Sequence, residues 1–164
     1  MDLNPSTGIG DTPAPPRTTP APALERLRRA SLGSLLALLI QYGLGMGVNL
    51  YANVPATDQG NGAGEALGKA LSHGPAALAA HTGIGLLLII NVIVVLVLAI
   101  RSRLPALVIS AAAGLLCVVG AAFSGASFVN TGADGASMAM AVLTGVALAC
   151  YAFNLYTLGA RSHR

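Results

Sequence analysis

Along the chain, long apolar runs alternate with short polar segments. Four runs stand out, at about residues 32–53, 76–100, 106–129 and 137–159. Each holds the roughly 20 residues that a helix needs to cross a bilayer. None contains Asp, Glu, Lys or Arg. Pro55, Pro75 and Pro105 fall at the boundaries of the runs, where proline punctuates a helix without breaking it. Only Arg-Ser-Arg-Leu-Pro, residues 101–105, separates the second and third runs, a connection so short that it makes them antiparallel neighbours. The predicted fold is all-α, a four-transmembrane-helix bundle over residues 24–160.

The polar segments complete the layout. Residues 1–23 hold six of the nine prolines, with Gly, Ser and Thr between them. Such a segment buries too little apolar surface to offset its ordering entropy, so a disordered tail is expected. Residues 24–31, LERLRRAS, read as a short basic amphipathic helix against anionic headgroups. The long stretch before the first run and the three runs after it argue that this span is retained rather than cleaved as a signal peptide. The only sizeable loop is 54–75. Its second part, GEALGKALSHG, pairs Glu65 with Lys69 at i,i+4 and lines up Leu67, Ala70 and Leu71, which predicts a short amphipathic helix lying on the outer interface. Residues 161–164 form a C-terminal tail.

Charge sets the orientation. Eight of the nine basic residues (Arg17, Arg26, Arg28, Arg29, Arg101, Arg103, Arg161 and Arg164) lie before the first run, between the second and third, or after the fourth. Lys69 alone lies in the alternate loops. By the positive-inside rule both termini are cytoplasmic, and loops 54–75 and 130–136 face outward. The expected home is a bacterial cytoplasmic membrane. A net charge of +3 located beside spans implies lipid rather than nucleic acid as the partner. Overall, 54% of residues are hydrophobic and 9% charged, with a mean hydropathy of +0.71, against about 25% charged residues in a soluble domain. Cys117 and Cys150 both fall within spans and read as small apolar packing residues.

Within the spans, polar side chains are costly in hydrocarbon and belong in the bundle interior. Counting depth from the span ends places Gln41 level with Asn91, and Asn49 level with His81. Two interhelical rungs are therefore expected, contributing about 0.6–2 kcal/mol each. Tyr42, Met46, Asn49 and Asn53 follow one face of span 1. Gly43 with Gly47, and Ala121 with Gly125, supply small-residue spacings for close helix approach. Tyr151, Asn154 and Tyr156 lie toward the inner interface, where tyrosines anchor in the headgroup belt. The similar ends of spans 2 and 4, Arg101-Ser102-Arg103 and Arg161-Ser162-His163, hint at a duplicated hairpin.

Chemistry centres on His81, the single histidine inside a predicted span. A haem b held by His81 with Met46, Met138 or Met140, or with His73 folded inward, is one reading, since four-helix bundles hold cofactors between their helices. A quinone-type pocket built from His81, Asn49, Met46 and Tyr42 in the outer half is another. A small transporter is a third, against which stands the absence of an acidic or basic residue in any span. No catalytic motif, nucleotide loop or metal cluster stands in the sequence. The leading expectation is a non-enzymatic integral membrane protein, an accessory subunit of a larger membrane complex or a homo-oligomer.

Val48, Asn49, Leu50, Tyr51, Val54 and Pro55 at the end of span 1, with His81 at the start of span 2, resemble a group of small four-span actinobacterial integral membrane proteins, themselves uncharacterised. In that group a VNLY-x-x-VP stretch closes the first span and a histidine opens the second. The resemblance covers about residues 35–100. It implies a shared purpose for Asn49 and His81, and no particular activity.

Overall fold

The computed structural model describes residues 21–51, 62–72 and 74–162, apart from a few side chains within them, including that of Asn49. The expectations for residues 1–20, for His73 and Asn53, and for the side chain of Asn49 lie outside the described residues. Five helices follow in order: α1 (Ala21–Tyr51), α2 (Gly62–Ser72), α3 (Ala76–Ser102), α4 (Pro105–Thr131) and α5 (Asp134–Ser162). Helices α1, α3, α4 and α5 are each long and apolar enough to cross a membrane.

The connections show why these residues stop and restart the helices. Arg103 takes a left-handed conformation (φ 57°) and its N–H donates to the Ile100 carbonyl. Pro105 then opens α4, where its missing N–H would have had no partner. At the other end Gly132 (φ 67°) closes α4 by donating to the Phe128 carbonyl at 2.7 Å. Glycine takes this conformation without steric cost. Helix α2 brings Lys69 3.3 Å from Glu65 and packs on α3 and α4.

The four long helices form a closed antiparallel ring. Helix α1 packs on α3 and α5, and α4 packs on α3 and α5. One end of the ring carries Arg26, Arg28, Arg29, Arg101 and Arg103 and is called here the basic end; α2 lies toward the other. Helix α1 begins at Ala21 and joins the helix expected at 24–31 to the span expected from residue 32. The segment LERLRRAS is the first part of one continuous 31-residue helix, with Pro22 in its first turn. Glu25 there receives Arg29 at 2.9 Å and Arg28 at 3.9 Å.

A single spacing governs which residues face inward. On α1 it runs Leu27, Ser31, Ser34, Leu38, Gln41, Gly45, Val48. On α3 it runs His81, Gly85, Leu88, Val92, Val95, Ala99, Ser102. On α4 it runs Leu107, Ala111, Gly114, Val118, Ala121, Gly125, and on α5 Met140, Thr144, Ala147, Tyr151, Asn154, Leu158. Steps of three and four alternate throughout, the 3.5-residue period of left-handed bundle packing. The seams differ along their length. From Leu27 to Leu38, Leu88 to Ser102, Leu107 to Val118 and Ala147 to Leu158 they are buried. Toward α2 the same seams carry Gly45, Gly85, Ala121, Gly125 and Thr144, and the helices enclose space instead of a packed core. Outside the ring Leu36, Leu39, Ile40, Leu87, Ile90, Ile109, Leu116 and Phe123 are exposed, an apolar belt suited to lipid tails.

Candidate ligand cavity

The space between the seams is a cavity of about 220 Å³ in the half of the bundle nearer α2. All four long helices line it, with Gln41, Tyr42, Gly45 and Met46 from α1, His81, Thr82 and Gly85 from α3, Ala121 and Phe128 from α4, and Met140 and Thr144 from α5 among the lining residues. Small residues at seam positions create it. Among the described residues no lining residue is charged.

Two polar side chains enter the cavity walls by a reciprocal arrangement. Gln41 rests on Gly85, where an added Cβ would stand 2.9 Å from Gln41 Nε2. His81 rests on Gly45, where an added Cβ would stand 3.2 Å from the ring's Cε1. Each helix thus offers a polar residue and, four positions later, a glycine that admits the other helix's polar residue. The His81 ring also approaches the main chain of Gln41. Even so, His81 Nδ1 and Gln41 Oε1 are buried without a hydrogen-bond partner. A buried polar atom left unpaired costs about 1–3 kcal/mol; Ser31 Oγ, the Tyr151 hydroxyl and both polar atoms of Asn154 are unpartnered too, on the packed seams, and only Gln41 and His81 have theirs beside open space that a hydrogen-bonding ligand could enter. Thr144 is satisfied within its own helix, its hydroxyl donating to the Met140 carbonyl at 2.8 Å.

Of the residues singled out from the sequence, His81, Gln41, Tyr42 and Met46 meet at this cavity, and Met140 joins them with its Sδ 3.2 Å from where a Cβ on Gly125 would be. Met138 is mostly exposed and is not in the lining. The Gln41–Asn91 rung does not form. Asn91 donates through Nδ2 to Ser34 Oγ at 2.8 Å and to the Ala30 carbonyl at 3.2 Å. Gln41 instead stands opposite Gly85, six residues away from Asn91. The physical reason is that α1 extends through the basic segment, so depth counted from residue 32 misplaced the whole helix against α3. Gly43 and Gly47 meet nothing from other helices, whereas Gly45 and Gly85 make the close approach. Tyr151 and Asn154 do not anchor at an interface. Both are fully buried, Tyr151 against Gly114, while Tyr156 is exposed. Cys117 and Cys150 are free thiols. Gly45 and Gly85 were not singled out as close-approach positions in the sequence, and Ala121 only by its spacing to Gly125; the 3.5-residue seam is the signal that places all three.

The space matches one ring better than a haem. A cavity of 150 Å³ admits a benzene, so about 220 Å³ is the size of one substituted ring, well short of a macrocycle of four. Among the described residues no group of three or more His, Cys, Asp or Glu side chains could hold a metal ion. Comparison with protein-family models, with curated proteins and with solved structures finds no match. Fold and site together define a class: a small helical bundle with four membrane-length apolar helices and a neutral, largely apolar cavity between them.

Proposed function

We propose that this chain is a non-enzymatic integral membrane protein of a bacterial cytoplasmic membrane that holds a small lipophilic molecule in its cavity, acting as an accessory component of a larger membrane assembly. Both termini lie in the cytoplasm, so the cavity opens in the outer half and α2 rests at the outer surface. The Arg-rich loops support this orientation. The resemblance to actinobacterial four-span proteins supports the setting and adds no activity.

The observation that carries the reading is the pair of unpartnered buried atoms, His81 Nδ1 and Gln41 Oε1, in the walls of an uncharged cavity. Ligand sites have this composition, apolar walls with a few placed polar groups. The test is organic extraction of protein purified in mild detergent, followed by mass spectrometry, with Ala121→Phe as the filled-cavity comparison. A lipophile recovered in near-stoichiometric amount from the wild type and lost from Ala121→Phe is expected. Equal recovery from both would defeat the reading.

The second reading is a redox protein using His81, and here the quinone form suits the cavity's size better than haem. An oxidised and dithionite-reduced optical spectrum separates them, a Soret band lost in His81→Ala being the signature of haem. Nothing in the cavity favours a transporter.

A further inference from the structure

Resting on the reading of the cavity as a ligand site, we infer that its occupant is the head of an isoprenoid quinone or quinol: one uncharged ring bearing carbonyl or hydroxyl oxygens that meet His81 and Gln41, with its tail in the lipid. Four observations converge on this chemistry.

The first is size. One substituted ring fills the space, as argued above. The second is charge. Among the described residues the lining holds Gln41, Tyr42, His81, Thr82, Ser137 and Thr144 as polar residues and no Asp, Glu, Lys or Arg. A carboxylate, phosphate or ammonium head would enter a low-dielectric site without a counter-charge, which costs far more than a hydrogen bond returns. Fatty acids, phospholipid heads and cationic drugs are therefore poor occupants. A ring bearing carbonyl or hydroxyl groups needs no counter-charge.

The third is the pair of polar groups. Gln41 packs at the level of Gly85 and His81 at the level of Gly45, one helical turn apart along the bundle. An imidazole and a carboxamide each can donate or accept, so the same pair serves the oxidised and the reduced ring.

The fourth is access. Tyr42 and Met46 line the cavity while remaining about half exposed, at 46% and 50%. They stand on α1 beside the exposed apolar residues Leu39 and Ile40, which points the route of entry toward the membrane. A head carried on an isoprenoid tail enters by that route. Met46 and Met140 bring adaptable, polarisable thioethers against the ring face.

The experiment uses the full-length protein in mild detergent and three probes with a common ten-carbon tail: decylubiquinone, decylbenzene and decanoic acid. Calorimetric titration gives affinity, and the ¹⁵N shifts of the His81 ring report contact. The expected result is saturable binding of decylubiquinone with a shift of the His81 ring nitrogens. His81→Phe and Gln41→Leu should each weaken it roughly three- to tenfold, the net worth of one hydrogen bond, and leave decylbenzene unchanged. Using two variants on different helices keeps the test decisive should one misfold. Equal binding of decylubiquinone and decylbenzene, insensitive to both variants, would overturn the quinone assignment and leave a plain lipophile site. Tighter binding of decanoic acid would overturn it in favour of an anionic head. Failure of all three probes, with nothing recovered by extraction, would overturn the ligand reading itself.

Discussion

Replacing Gly114 with alanine tests the packed half of the bundle where it is tightest. The new Cβ would lie 2.8 Å from Tyr151 Cζ and 2.9 Å from both Cε2 and the hydroxyl oxygen. Carbon atoms in comfortable contact stand about 3.5–4.0 Å apart, so the ring must retreat by the better part of an ångström. It has nowhere to go, since Tyr151 is 0% exposed and sits in the seam among Ala111, Val118 and Ala147. Overpacking of this kind costs about 1–3 kcal/mol. Against it stands the better helix propensity of alanine, up to about 1 kcal/mol in water. The net expectation is a loss of about 1–2 kcal/mol. The matched control is Gly47→Ala, where an added Cβ meets nothing within 4 Å, so its effect should lie between neutral and slightly stabilising. Both are measured by steric-trap unfolding in bicelles or by equilibrium unfolding in mixed micelles. Two results would refute the reasoning: Gly114→Ala as stable as the parent, or Gly47→Ala falling equally far. Tyr151→Phe in the Gly114→Ala background should return only part of the loss, because two of the three close contacts are to ring carbons.

Other outcomes follow from the same structure. Asn91→Ala and Ser34→Ala should show a coupling near 0.6 kcal/mol and not above about 1.7 in a double-mutant cycle, while Asn91 and Gln41, which share no contact, should be additive. Asn154→Leu should hold or raise stability, because both polar atoms of that fully buried amide lack a partner and an apolar side chain removes the desolvation cost; a loss above about 1 kcal/mol would reveal a hidden partner. A phosphatase reporter fused after Arg164 should be inactive and a fluorescent protein bright. An active phosphatase would reverse the orientation.

Hydropathy alone marked the four spans, and α4 begins within a residue of its expected start because Pro105 sits there. It could not place the start of α1. The arginines at 26, 28 and 29 look like the end of a span, yet they share a helix with Leu27 and Ser31, which lie on the same inward seam as Ser34 and Leu38. A charged side chain on the outer face does not interrupt a helix whose opposite face is packed. That one misplaced boundary moved the α1–α3 pairing by six residues, about 9 Å along the axis, and so paired Gln41 with Asn91. The cavity's polar residues were visible because His81 and Gln41 are rare types in hydrocarbon. Its shape was not, because it depends on where Gly45, Gly85 and Ala121 fall relative to the neighbouring helices. Pairwise spacings such as Gly43 with Gly47 do not fix that. Tyr151 and Asn154 were misread for a related reason: near a span end, a tyrosine on the lipid face and one on the seam differ only in helical phase.

An experimental density map of the protein extracted from its own membrane would test the central claim most directly. The account predicts non-protein density in the cavity, within hydrogen-bonding distance of His81 Nδ1 and Gln41 Oε1, with a tail emerging past Tyr42 and Met46. A bundle closed on itself, with Gln41 and His81 bonded to each other and the helices drawn together over Gly45 and Gly85, would contradict it.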